Sequence, residues 1–104
     1  MTSGKVIPAE SSAETSDRFD ELVDAFAHLR EPSIVAAFLR DLCTVNELDA
    51  MGQRLQVARL VDESIPYQEI SRRTGASTAT ITRVAQWLHH GEGGYRAVLK
   101  RVRR

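Results

Sequence analysis

The chain has 104 residues, of which 42% are hydrophobic and 27% are charged, and its formal net charge is zero. That length allows one domain with one modest core. A single cysteine excludes an internal disulfide, and no apolar run approaches the roughly 18 residues of a membrane span, so we expect a protein of the reducing cytoplasm without membrane contact.

Residues 1–16 are rich in Ser, Thr, Ala and Glu, which predicts a disordered N-terminal tail. From Asp17 onward, apolar residues recur at helical spacing until Glu31 and Pro32, where proline prevents continuation and can open the next helix. The apolar positions of this first predicted helix are Phe19, Leu22, Val23, Phe26 and Leu29.

The second predicted helix, residues 32–43, is apolar nearly all round because it contains the run IVAAFL. Cys43 follows Leu42 and is predicted to be a small buried side chain. A helix that is apolar on all sides must be covered on all sides, and the short helices of one chain offer few neighbours for that. We therefore predict a homodimer with a shared core formed by residues 17–63. The alternative is a monomer that leaves part of this apolar surface exposed.

A third, longer helix is predicted over residues 45–63. Thr44 and Glu47 have the spacing of a capping box at its start. Gly52 in its middle costs about 1 kcal/mol of helix propensity relative to alanine, which suggests that another helix approaches closely there. The apolar stripe of this helix consists of Leu48, Met51, Leu55, Ala58 and Val61.

Residues 66–90 predict two short helices that cross through a tight turn, which is a helix-turn-helix. Ile70 and Thr74 would face inward on the first helix. Gly75 supplies the left-handed backbone position that ends it, Ala76 is small enough for a close crossing, and Ser77 can cap the second helix.

The second of these helices has an apolar face and an opposite polar face. The residues on the apolar face are Ile81, Val84, Ala85 and Leu88, and those on the polar face are Thr78, Ala79, Thr82, Arg83 and Gln86. Short polar side chains with one arginine suit the floor of a DNA major groove. The alternative is an ordinary helical hairpin packed in a core.

After a break at residues 89–93, a short last helix is predicted over 94–103. This completes six helices without strands. Charge is divided unevenly: residues 1–53 hold four basic and ten acidic side chains, whereas residues 54–104 hold ten basic and four acidic ones. Arg72, Arg73 and the basic tail 100–104 have few acidic neighbours in sequence. We expect them to contact DNA phosphates, with solvated surface arginines as the alternative.

The stretch LDAMGQRLQVARLV and the helix-turn-helix ending GASTATITR resemble the Trp repressor superfamily over about residues 17–100. The segments DLCTVNELDAMGQRL and GEGGY resemble most its YerC/YecD-like branch of small bacterial regulators. The resemblance implies an all-α, six-helix chain in an intertwined homodimer. Its two helix-turn-helix units would bind the half-sites of a palindromic operator in double-stranded DNA, about 34 Å apart.

The resemblance also implies roles for individual residues. Four positions would face the bases, and Gln68 and Ser71 would lie near the DNA backbone. The base-facing positions are Thr78, Ala79, Thr80 and Thr82. The remaining candidate DNA-binding residues are Arg72, Arg73, Ser77 and Arg83.

In the tryptophan-sensing members of this family the ligand lies between two arginines, which match Arg54 and Arg83. The residue after the second arginine is Val84, and Trp87 stands where the family has a ligand-holding serine. The indole of Trp87 can occupy the space of a free indole, and at about 25 cal/mol per Å² its burial is worth several kcal/mol. We therefore expect a repressor without tryptophan as corepressor. The alternatives are a different small-molecule effector, or arginines that bind phosphate or pair with acids of the third helix.

The sequence contains no paired carboxylates, activated nucleophile or nucleotide loop, so we expect neither catalysis nor a cofactor. His89, His90 and Glu92 lack a further ligand at metal-binding spacing. The pattern favours a sequence-specific DNA-binding transcription regulator, and we expect it to be a repressor. The alternative from another class is a protein-interaction adaptor of the transcription machinery, with the acidic first half as its docking surface.

Overall fold

The computed structural model describes residues 12–102, with side chains from Ser16 onward, and every regular element in this range is a helix. The helices are α1 (Ser12–Ala27), α2 (Pro32–Leu42), α3 (Val45–Asp62), α4 (Tyr67–Thr74), α5 (Thr78–His90) and α6 (Gly94–Val102). The predicted all-α chain of six helices is confirmed over these residues. None of the described helices is long and apolar enough to cross a bilayer.

The start of α1 differs from the prediction. The helix begins at Ser12 rather than at Asp17, so residues 12–16 belong to it and not to a disordered tail. This stretch contains alanine and glutamate, residue types that favour helix formation. The rest of the predicted tail, residues 1–11, lies outside the described residues.

The helices form two compact units, and the first contains α1 and α2. Pro32 opens α2 at its first turn, as predicted. The rings of Phe26 on α1 and Phe38 on α2 pack with their centroids 5.2 Å apart. No residue of α2 is buried, and Cys43 is only half-buried, which corrects the prediction of a buried thiol. Two helices alone cannot enclose a segment that is apolar on all sides.

The second unit contains α3 to α6, and α3 is its central helix. Burial on α3 is confined to its second half, at Val57, Ala58 and Leu60, whereas Met51 and Leu55 of the predicted stripe are exposed. A Cβ at Gly52 would meet nothing within 4 Å in the described chain. The expected close approach of another helix to Gly52 is therefore not found within one chain.

The core of this unit is formed by buried apolar side chains from α3, α4, α5 and α6. Its members are Val57, Ala58, Leu60, Ile70, Ala76, Ile81, Val84, Leu88 and Leu99. Full burial of a Val, Leu or Ile side chain stabilises a fold by about 1.5–3 kcal/mol. Because α4 and α5 each contribute buried side chains, the segment between Tyr67 and His90 is held on α3 by its apolar faces and leaves its polar faces outward.

Candidate nucleic-acid interface

The turn between α4 and α5 consists of three residues, and its first residue has the backbone conformation that the sequence predicts. Gly75 has φ 75° and ψ 1°, in the left-handed region, and its N–H donates to the carbonyl oxygen of Ser71 at 2.8 Å. A side chain at this φ would be strained, because a Cβ crowds the following carbonyl oxygen. Ala76 is 2% exposed and joins the core. Gly75 therefore has the predicted left-handed conformation, and Ala76 is packed closely, as predicted.

Two hydroxyl groups stabilise this turn, and the sequence analysis did not find them. Ser71 Oγ donates to the carbonyl oxygen of Ala76 at 2.7 Å. Thr74 Oγ1 donates to the carbonyl oxygen of Ile70 at 2.7 Å and accepts the N–H of Ala76 at 3.1 Å. The hydroxyl hydrogen of Ser71, expected near the DNA backbone, is therefore used within the turn, and its oxygen can still accept a hydrogen bond.

Ser77 caps α5, as predicted. Its Oγ accepts the N–H of Thr80 at 3.1 Å and donates to Thr80 Oγ1 at the same distance. Thr80 is half-buried, and its own hydroxyl hydrogen can still be donated to another acceptor. The start of α5 is therefore well defined at the end where a recognition helix meets base edges.

The two faces of α5 are separated as the periodicity predicts. Ile81, Val84, Ala85 and Leu88 are buried. The exposed residues of the helix include Thr78, Ala79, Thr82, Arg83 and Gln86. Gln68 of α4 is exposed as well. The exposed face of α5 thus carries two threonines, an alanine, a glutamine and one arginine, with the buried residues of the same helix behind them.

Both arginines of α4 have an acidic partner, which corrects the expectation that few acids lie near them. Glu69 pairs with Arg72 and with Arg73, the latter at 2.7 Å between Arg73 Nε and Glu69 Oε2. These hydrogen bonds, first that of Arg72 and then that of Arg73, lower the pKa of Glu69 from 4.5 to about 2. The i,i+3 and i,i+4 spacing of these residues on a helix was the sequence signal that would have found the pairs.

Basic side chains continue on α6, where Arg96, Lys100 and Arg101 are exposed. Arg96 Nη2 lies 3.2 Å from His89 Nδ1, so this contact joins the last turn of α5 to α6. Residues 103–104 of the predicted basic tail lie outside the described residues. Among the side chains from residue 16 to 102, no group of three His, Cys, Asp or Glu could hold a metal ion.

The four residues of the candidate effector pocket have different environments within one chain. Arg54 on α3 and Arg83 on α5 are exposed, whereas Val84 is 2% exposed and belongs to the core. Trp87 is half-buried, and a Cβ at Gly91 would lie 3.2 Å from its Cε3 and overlap its carbonyl oxygen. Glycine at position 91 therefore allows the chain to turn closely against the indole at the end of α5.

Similarities to known proteins agree with this architecture. The chain matches the family model described as Trp repressor protein over residues 17–103. It is 42% identical over 84 residues to the uncharacterized protein YerC of Bacillus subtilis (strain 168), which covers 81% of each chain. It is also 48% identical over 52 residues to the Trp operon repressor homolog of Actinobacillus succinogenes, which covers 49% of this chain and 52% of that one.

Solved structures show the same fold. A TrpR-like protein from Eubacterium eligens superposes with a TM-score of 0.78 at 37% sequence identity, covering 83% of this chain and 89% of that one. A candidate Trp repressor from Staphylococcus aureus superposes with a TM-score of 0.76 at 42% identity, covering 82% and 85%. The resemblance inferred from the sequence motifs is therefore confirmed by the family model, the relatives and the structures. The chain belongs to the Trp repressor family.

Proposed function

We propose that this protein is a sequence-specific DNA-binding transcription regulator, a repressor, in which α4 and α5 form a helix-turn-helix and α5 reads the major groove. The observation that carries the proposal is the exposed face of α5, where Thr78, Ala79 and Thr82 stand outward while the opposite face is buried. Small polar side chains let the backbone of a helix approach base edges closely, and Arg83 adds a donor pair suited to guanine. Its relatives include Trp operon repressor homologs.

The regulator acts as a homodimer in this proposal. Support comes from the large apolar side chains that one chain leaves exposed in α1, in α2 and between the start and the middle of α3. They are Phe19, Leu22, Val23, Ile34, Leu42, Val45, Met51 and Leu55. Dimerisation through these helices would bury this surface, and a two-fold dimer would present two copies of α5 to the half-sites of a palindromic operator.

Operator binding in this proposal does not require tryptophan. Trp87 is half-buried against Gly91, and Val84 is part of the core, so the positions that would have to admit an indole already carry large side chains. Arg54 and Arg83 then serve as surface cations that face phosphate or another anion. A small-molecule effector other than tryptophan would raise the melting temperature of the protein in a thermal-shift screen of ligands.

Selection of bound fragments from a pool of genomic DNA tests the proposal directly. We expect enrichment of a palindromic sequence, and affinity for it should fall by orders of magnitude between about 50 and 200 mM salt because several phosphates are contacted. An adaptor that binds another protein through apolar contacts would enrich no sequence, and its affinity for its partner would depend little on salt. That result would contradict the proposed DNA recognition and would favour the adaptor function.

A further inference from the structure

Glu69 contacts both arginines of α4, and it contacts them differently. Arg72 donates through Nε to Glu69 Oε1 at 2.9 Å and through Nη2 to Oε2, so its guanidinium binds the carboxylate with two parallel hydrogen bonds. Arg73 donates only through Nε, to Oε2 at 2.7 Å. One of the two edges by which the guanidinium of Arg72 can bind an anion with paired hydrogen bonds is therefore occupied by Glu69, and only Nη1 and the second N–H of Nη2 are left. The two terminal nitrogens of Arg73 keep their donors for an anion.

We propose that Glu69 is a positioning residue of the DNA interface, which orients Arg73 toward one phosphate and limits the binding of Arg72 to phosphates in general. The inference rests on the proposed DNA-binding function and deepens it. By this positioning, Glu69 increases the selectivity of the protein for its operator over unrelated DNA. An arginine oriented by a carboxylate matches a phosphate in one docking register, whereas an unrestrained arginine binds phosphates in any register.

Charge supports the same conclusion. The side chain of Glu69 is one-third exposed, with 32% of its surface accessible, while those of Arg72 and Arg73 are 70% and 44% accessible, so the group lies where DNA can reach it. The carboxylate is charged at neutral pH, as a glutamate with its ordinary pKa of 4.5 would be, and the hydrogen bonds from Arg72 and Arg73 lower its pKa further, to about 2. The three side chains together therefore carry one positive charge instead of two. Since non-specific affinity arises from neutralised phosphates, this loss lowers binding to unrelated DNA.

The test uses Glu69→Gln, which keeps the size of the side chain and removes its charge. Affinities are measured for the selected operator and for an unrelated duplex of equal length, over a range of salt concentrations. We expect affinity for the unrelated duplex to rise about 3- to 10-fold, with a salt slope steeper by about one unit per chain. Affinity for the operator should rise less, so the ratio of the two affinities falls.

Glu63→Gln is the matched control. Glu63 is also an exposed acid, it pairs with Arg59 at 3.5 Å with the same i,i+4 spacing, and it follows α3 instead of lying on α4. This variant changes the total charge equally, so any effect of net charge alone appears in both variants. A loss of selectivity confined to Glu69→Gln supports the positioning role, and an equal loss in both variants overturns it.

Three further variants identify the arginine concerned. Arg72→Gln should weaken binding to unrelated DNA less than Arg73→Gln, which removes the same charge, because Glu69 occupies two donors of Arg72 and only one of Arg73. In the double variant Glu69→Gln with Arg72→Gln, which has the charge of the wild type, non-specific affinity should return to the level of the wild type. A loss of non-specific affinity in Arg72→Gln that equals or exceeds the loss in Arg73→Gln overturns the inference.

The outcome also separates the inference from the function on which it rests. If the wild type prefers no duplex, the proposed function fails. If the wild type selects an operator and Glu69→Gln retains the same ratio of affinities, only the inference fails. The melting temperature of each variant, measured in parallel, shows that the fold is retained.

Discussion

Gln53 on α3 donates from Nε2 to the backbone carbonyl oxygen of Thr74, the last residue of α4, at 3.2 Å. This hydrogen bond spans 21 positions in sequence and reaches the end of α4 where the turn begins. Thr74 also uses its hydroxyl group within the turn, so one residue connects α3, α4 and the turn that precedes α5. The bond contributes to holding the proposed reading helix at a fixed distance from α3.

Replacement of Gln53 by alanine should destabilise the protein by about 1 kcal/mol, because the part-buried carbonyl oxygen of Thr74 loses its donor. Chemical denaturation followed by circular dichroism measures the change. Gln56→Ala is the control, because Gln56 is exposed on the same helix and its replacement by alanine changes the helix propensity by a comparable amount. Equal stability of the two variants would show that the Gln53 bond contributes nothing.

Phe38→Asp should abolish the proposed dimer and unfold the chain or leave a weakly structured monomer. The aromatic contact with Phe26 is lost, and a carboxylate enters an apolar surface at a cost of several kcal/mol. Sedimentation equilibrium gives the mass. Ser33→Asp, which adds the same charge at an exposed position of α2, should remain dimeric. A compact wild-type monomer at micromolar concentration would refute the dimer.

Substitutions on α5 and on α6 should affect DNA binding in different ways. Thr82→Ala, or a bulky residue in place of Ala79, should change the preferred operator by about 1–3 kcal/mol per affected base pair and leave non-specific binding nearly unchanged. Lys100→Gln should weaken binding to every sequence alike and reduce the salt slope by about one unit. If instead the α6 variant alters the preferred sequence and the α5 variants do not, α5 is not the reading helix.

If Trp87 and Val84 fill the space of an indole, as proposed, free tryptophan at millimolar concentration should change neither the melting temperature nor the DNA affinity of the wild type. Trp87→Ser opens a cavity beside Gly91, and this variant should gain stability when indole is added. Differential scanning calorimetry at several ligand concentrations measures both effects. A melting temperature of the wild type that rises with tryptophan concentration would contradict this prediction.

Lower pH should release the arginines of α4. The pKa of Glu69 in the folded chain, about 2, is below its ordinary value of 4.5, so the ion pairs contribute fully above pH 4.5 and are lost as the pH falls toward 2. A carbon-detected NMR titration of the Glu69 carboxyl group reports its midpoint. In Arg72→Gln this midpoint should move upward, because the largest cause of the shift is removed. An unchanged midpoint would mean that Arg72 does not hold the carboxylate.

Local chemistry in the sequence determined most of the helix boundaries and the structure of the turn. Pro32 opens α2, Gly75 ends α4 in the left-handed conformation, and Ser77 caps α5. Each of these effects acts over a few residues, so a residue type at a given position predicts it. The division of α5 into buried and exposed faces follows in the same way from its helical period, and the membership of the family follows from the motifs on those helices.

The tertiary structure decided which apolar residues of each helix are buried, because the helical period of the sequence alone does not specify this. Of the predicted stripe of α3 only Ala58 is buried in the chain, and the other buried residues of this helix, Val57 and Leu60, lie outside the stripe, because burial depends on which helices return to pack there. The bond between Gln53 and Thr74 depends on where α4 is placed. Hydrophobic periodicity specifies which side of a helix is apolar, and only the packed chain specifies how much of that side is covered and by what.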